Sequence, residues 1–306
     1  MAHEHHHDHH HDHHAINLTS LNKAFIIGIV LNLFFVFVEF GAGLWLDSLA
    51  LISDAGHNLS DVVSLVIALL AFRLMKLKPN TKYTYGYKKS TILSSLLNAC
   101  ILLVVVGIIL AESIKKLSAP EPIEGNMIAW VAGVGIVINA FTAWLFMKDQ
   151  KKDLNVKGAY LHMVADTLVS VGVVVSGIII QHTGWYVIDP IISIIIAVII
   201  LLSTTGLLFS SVRLALDGVP AGIDPIKIRE LIQKEDDRVV EVHHMHIWAI
   251  STSENALTAH VVVRSTDGME ELKCKIKHLL EHQEINHVTL EFELEGKSDC
   301  DSRGGI

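Results

Sequence analysis

The chain is predicted to be a membrane protein: an all-α bundle of six transmembrane helices followed by a small cytoplasmic α+β domain in the order αββαβ. Three observations predict this. Just over half of its 306 residues are hydrophobic, 51%, too many for an ordinary soluble domain. Six apolar stretches each approach or exceed the ~20 residues that cross a bilayer. After Arg213 the composition turns abruptly to mixed polar and apolar alternation.

The six stretches run Phe25–Leu46, Leu49–Met75, Ser90–Lys116, Met127–Met147, Gly158–Gln181 and Tyr186–Ser211. Only Asp47-Ser48 separates the first two, so they form a tight hairpin. The fifth and sixth are joined by a short link at His182-Thr183-Gly184. Positive charge sets the orientation, because Lys- and Arg-rich loops stay in the cytoplasm. Arg73, Lys76, Lys78, Lys82, Lys88 and Lys89 follow the second stretch, and Lys148, Lys151, Lys152 and Lys157 follow the fourth. The links after the first and fifth carry no Lys or Arg. Both termini are therefore expected in the cytoplasm, with the chain in the cell (inner) membrane.

Asp217-Gly218-Val219-Pro220 reads as a turn and linker. A helix over Pro225–Glu235, strands over Arg238–Ile250 and Ala256–Arg264, a helix over Met269–Gln283 and a strand over His287–Glu295 follow. In the last strand Val288, Leu290, Phe292 and Leu294 alternate with polar residues, the period of a half-buried strand. The expected units are a His-rich tail at 1–15, a six-span transmembrane domain at 16–212 and a cytoplasmic domain at 213–306.

Residues 1–15 are a His tract interrupted by Glu4, Asp8 and Asp12. Such a segment buries no core. It lacks the basic start and apolar middle of a signal peptide, and its imidazoles would gather zinc, copper or nickel loosely. A formal charge of −8 leaves no footprint for nucleic acid. Cys100, Cys274 and Cys300 form no Cys-x-x-Cys pair, so neither a disulfide framework nor a structural zinc motif is expected.

The chemistry concentrates in a doubled pattern, His57-x-x-x-Asp61 in the second stretch and His162-x-x-x-Asp166 in the fifth. The i, i+4 spacing puts both side chains of a pair on one helix face. A carboxylate at mid-membrane costs roughly 2.5–3.5 kcal/mol on insertion scales. Two of them, each paired with a histidine, exceed what interhelical hydrogen bonding requires. Small residues around them (Ala55, Gly56, Ser60, Ala165) allow close helix approach. Two imidazoles and two carboxylates suit a four-coordinate divalent transition metal. The motif His-Glu-x-x-His of a zinc hydrolase is absent, and no signalling output segment is visible. An enzyme is therefore not expected, and a membrane metal sensor or scaffold is the weaker reading.

The stretch from Ser48 to Asp61 (Ser-Leu-Ala-Leu-Ile-Ser-Asp-Ala-Gly-His-Asn-Leu-Ser-Asp), His162-Met163-Val164-Ala165-Asp166 and Val242-His243-His244-Met245-His246-Ile247-Trp248 resemble signature segments of the cation diffusion facilitator family of zinc and heavy-metal efflux transporters. Two departures are visible: His244 stands where an Asp is usual, and Glu293 replaces another Asp. The resemblance implies a homodimer with a ferredoxin-like cytoplasmic domain. It also implies export of a divalent metal in exchange for protons. His57, Asp61, His162 and Asp166 would form the transport site, with His at both first positions pointing to Zn2+ ahead of Cd2+, Co2+ or Ni2+. His243, His260 and Glu293 would bind a regulatory zinc ion. His278 and His282 share a helix face and would add a ligand. The Lys-rich loop after the second stretch lacks His and Asp, so the further metal site of some relatives is not expected here.

Overall fold

The computed structural model describes residues 18–45, 49–118, 125–151 and 153–296. Among them six long helices come first: α1 (Leu18–Trp45), α2 (Leu49–Met75), α3 (Ser90–Ser118), α4 (Gly125–Met147), α5 (Leu154–Thr183) and α6 (Ile188–Ala215). A smaller unit follows with α7 (Pro225–Lys234), β1 (Val239–Ala249), β2 (Asn255–Val263), α8 (Met269–Glu281) and β3 (Ile285–Leu294). The His-rich tail at 1–15 and Asp47 lie outside the described residues.

The helices outrun the apolar stretches because backbone hydrogen bonding continues into the polar flanks. Thus α1 starts seven residues before Phe25, and α5 absorbs His182 and Thr183. Among the described residues, 23–42, 90–118 and 190–215 are each long and apolar enough to cross a membrane on their own. Large side chains such as Phe34, Phe37, Trp45, Leu202 and Phe209 are well exposed. Apolar exposure on that scale calls for lipid around the bundle.

Among the described residues three cores hold the bundle, one of them Ala99, Leu102 and Leu207 between α3 and α6. Phe25, Leu65, Phe72, Phe146 and Met163 join α1, α2, α4 and α5, with the Phe25 ring 4.8 Å from Phe146 and 5.6 Å from Phe72. Val106, Ala165, Ala197 and Ile200 join α3, α5 and α6. Close approach of α5 to α6 depends on Gly172, where an added Cβ would sit 2.6 Å from Ile196 Cδ1.

The three strands form a mixed sheet in the order β1-β2-β3, with β1 antiparallel and β3 parallel to β2. Asp224 caps α7 by accepting from Ile226 N at 3.0 Å, and Pro225 follows at a position where its missing N–H costs nothing. Ile228 and Ile232 of α7 and Leu272, Ile276 and Leu280 of α8 share one core with Val242, Met245, Leu257 and Val261. Both helices therefore cover one sheet face, as the alternation predicts. The opposite face carries His243 and His260, directly paired across the strands.

The β1–β2 turn seats this domain on the helices. Thr252 N donates to Thr91 Oγ1 at 3.1 Å, and the Thr252 hydroxyl donates to Asp153. Asn155 Nδ2 donates to Thr91 O at 2.8 Å. Lys88 pairs with Glu254 and Lys89 with Asp217 at 2.7 Å. Ile92, Leu214 and Ala249 pack beneath them. Burial holds the Asp153 carboxyl above its ordinary value of 3.8, against the lowering effect of its hydrogen bonds to Thr252, Val156 and Asn155.

Candidate metal centres

Where α2 and α5 touch, the spacing read from the sequence places its donors face to face. Asp61 is 1% exposed, His162 2% and Asp166 9%. The His162 Nε2 contacts Asp61 Oδ1 and lies 4.0 Å from Asp166 Oδ2. One donor atom from each of the three falls within 4.8 Å of the others. Ligands of a tetrahedral ion with bonds of ~2.0–2.1 Å stand about 3.4 Å apart, so these three close on an ion by side-chain movement of roughly an ångström. His57 lies in α2 one turn before Asp61, and its side chain lies outside the described residues. Asp61 Oδ2 and His162 Nδ1 have no hydrogen-bond partner among the described residues. Such buried acceptors are costly without a ligand, and a cation held by the three residues satisfies the Asp61 oxygen.

Other membrane polar groups behave mainly as interhelical ties. Glu39 Oε2 accepts from Asn58 Nδ2 at 2.7 Å, binding α1 to α2. Asn32 Nδ2 donates to Gly28 O at 2.9 Å and approaches Thr142 Oγ1 at 3.4 Å, binding α1 to α4. The side chain of Asp54 lies outside the described residues.

A second cluster sits on the open face of the sheet. Glu293 Oε2 is 3.1 Å from His243 Nε2, and its Oε1 is 2.5 Å from His260 Nδ1. The three residues expected from the sequence are therefore together. His244 joins them: donor atoms of His243, His244 and His260 fall within 4.8 Å of one another, and the His244 ring centroid is 5.1 Å from that of His260. Strict alternation would send His244 into the core. A bulge between His243 and His246, with His244 at φ 47°, turns it back to the open face while Met245 takes the core position. Glu291 Oε2 lies 3.5 Å from His260 Nε2. The four donors His243, His244, His260 and Glu293 match the nitrogen and oxygen preference of zinc.

His278 and His282 do share a face of α8, with Nε2 atoms 3.2 Å apart. They stand on the helix side of the sheet and do not join the His243 cluster. His287 meets the Tyr85 ring edge-on at 5.3 Å, and His246 is exposed.

A buried carboxylate and histidine donor set between two helices of a bundle with lipid-type apolar exposure, beside a sheet bearing more donors, suits a protein that handles metal ions at a membrane. Residues 25–214 match the family profile described as the cation efflux transmembrane domain, and residues 220–295 match the cytoplasmic domain of cation efflux proteins. The chain belongs to the cation diffusion facilitator family. It is 36% identical over 278 residues to the cadmium, cobalt and zinc/H(+)-K(+) antiporter of Bacillus subtilis (strain 168), covering 89% of each chain. It is 35% identical to zinc transporter ZitB of Escherichia coli (strain K12), covering 89% of this chain and 88% of that one. With the cation efflux system protein CzcD of Alcaligenes sp. (strain CT14) the identity is 38%, over 85% and 83%.

Proposed function

We propose that this protein exports a divalent metal ion, zinc foremost, from the cytoplasm in exchange for protons. All six long helices span the membrane with both termini inside, two copies pair through a ferredoxin-like cytoplasmic domain, and no covalent chemistry is performed. The observation that carries the reading is the convergence of Asp61, His162 and Asp166 within 4.8 Å in a buried position, with His57 one turn away on α2.

These residues couple metal to protons without a separate relay. A neutral imidazole donates its lone pair to zinc, whereas a protonated one cannot. A metal ion arriving from the cytoplasm displaces protons from His57, His162 and the carboxylates. Protons arriving from outside displace the metal. Exchange then needs two conformations that expose the centre to opposite sides. His243, His244, His260 and Glu293 bind a second zinc ion that stabilises the cytoplasmic unit, and the His-rich tail gathers metal at the entrance.

The relatives' names favour a broader cargo as the second reading, because cadmium and cobalt appear beside zinc, and potassium beside protons, in one of them. The test is zinc uptake into proteoliposomes with an internal pH dye. The proposal expects zinc-driven proton movement that Asp61→Ala and Asp166→Ala each abolish. Wild-type flux in both variants would remove the assignment. A panel of zinc, cadmium, cobalt and nickel, with and without potassium, ranks the cargo.

A further inference from the structure

Of the buried oxygens that meet no partner among the described residues, four belong to Ser64 (Oγ) on α2, Ser94 (Oγ) and Asn98 (Oδ1) on α3, and Asn155 (Oδ1) on α5. Their residues are 1–5% exposed. An unmet acceptor in such a place is expensive, and native proteins keep few.

The three on α3 and α5 share a location. Thr91, Ser94 and Asn98 recur at three and four residues, and so do Asn155, Gly158 and His162, so each set lies on one helix face. The two faces meet: Asn155 donates to Thr91 O, and a Cβ at Gly158 would stand 2.5 Å from Asn98 Nδ2. Ser64 follows Asp61 by three residues towards the Met75 end of α2. That end lies beside the start of α3, because Ser90 Oγ donates to Ala71 O at 3.2 Å. The starts of α3 and α5 also carry the bonds to the cytoplasmic domain through Thr91 and Asp153. All four oxygens thus lie on the cytoplasmic side of Asp61 and His162.

We propose that Ser94, Asn98 and Asn155, with Ser64 on α2, line the route by which a partly dehydrated divalent cation reaches the Asp61–His162–Asp166 centre from the cytoplasm. Hydroxyl and amide oxygens replace some of the ion's water. They hold a borderline metal such as zinc less tightly than imidazole and carboxylate, so the ion moves on. Donors four residues apart on a helix are separated by about 6 Å of rise, a single hand-over. Asn98, beside Gly158 and one turn from His162, is the last donor before the centre. This rests on the proposed transport role of that centre, and makes Asn98 and Ser94 positioning residues for entry.

The test uses full-length protein with zinc as the probe. Asn98→Leu combined with Ser94→Ala is expected to lower kcat/KM for zinc at least tenfold, with the rate at saturating zinc within about threefold of wild type. Zinc affinity of the solubilised protein stays within about twofold, because the terminal ligands are intact. Asn98→Asp, which keeps an oxygen, restores kcat/KM. Gly158→Ala, which pushes Asn98 aside, lowers it. Unchanged kcat/KM in the double variant overturns the route, as does a parallel loss of equilibrium affinity, which would make Asn98 a structural tie of the centre. The parent reading fails separately, by zinc flux that survives Asp61→Ala.

Discussion

Replacing Asp153 probes how the cytoplasmic unit is fastened to the helix that bears His162 and Asp166. Its Oδ1 caps α5 by accepting from Asn155 N at 2.7 Å and Val156 N at 3.2 Å, and its Oδ2 accepts from Thr252. Losing a helix cap costs about 1 kcal/mol. Losing a hydrogen bond to a charged group costs about 1.5–3 kcal/mol. Against these stands the cost of keeping a carboxylate in a site where burial is the largest influence and raises its pKa. Asp153→Ala is therefore expected to destabilise by roughly 1–3 kcal/mol net. Asp153→Asn keeps an oxygen for the two amides and sheds the ionisation cost. The sign follows from the raised folded-state pKa: this group's stabilisation is complete below 3.8 and is lost as pH rises through the folded value. The advantage of the Asp153→Asn variant over wild type thus grows from acid towards neutral pH. Thermal unfolding in detergent at several pH values between about 4 and 8 measures it. If Asp153→Asn is as damaging as Asp153→Ala throughout, or its standing against wild type does not move with pH, the buried-carboxylate argument is wrong.

Three further outcomes are expected. His244→Ala lowers zinc affinity at the cytoplasmic cluster at least tenfold, read by calorimetry on protein lacking only residues 1–15; unchanged binding would place His244 outside the ligand set. Gly172→Leu forces a side chain into Ile196, and overpacking of this kind costs about 1–3 kcal/mol, visible as a lower unfolding temperature; full stability would mean α5 and α6 do not pack as described. Ile276→Ala removes a fully buried side chain from the shared core of α7, α8 and the sheet and costs about 2–5 kcal/mol, read by denaturation of the cytoplasmic unit in the intact chain.

The long helices are legible because hydropathy runs of ~20 residues leave few alternatives, and the His-x-x-x-Asp spacing by itself assigns the donors to helix faces. That α2 and α5 would bring those faces together was not readable from periodicity alone; it depends on close packing across the bundle. His244 escaped because a bulge breaks the two-residue period, and no local signal in His243-His244-Met245-His246 announces a positive φ. An asparagine in an apolar helix suits an interhelical hydrogen bond, yet the Asn98 oxygen meets no donor among the described residues, a fact that only the packed neighbours reveal. Asp153 sits in a lysine-rich turn that reads as solvated. Its burial arises from the β1–β2 turn, distant in sequence, folding down on it.

The central claim is that the transported ion is gripped by His57, Asp61, His162 and Asp166. X-ray absorption at the zinc edge tests it, on protein lacking residues 1–15 and carrying His243→Ala, His260→Ala, His278→Ala and His282→Ala. The account predicts one zinc per chain with four nitrogen and oxygen neighbours at about 2.0 Å, and an imidazole signal that falls in His162→Ala. A sulfur neighbour, a six-coordinate shell, or a spectrum indifferent to His162 would contradict it.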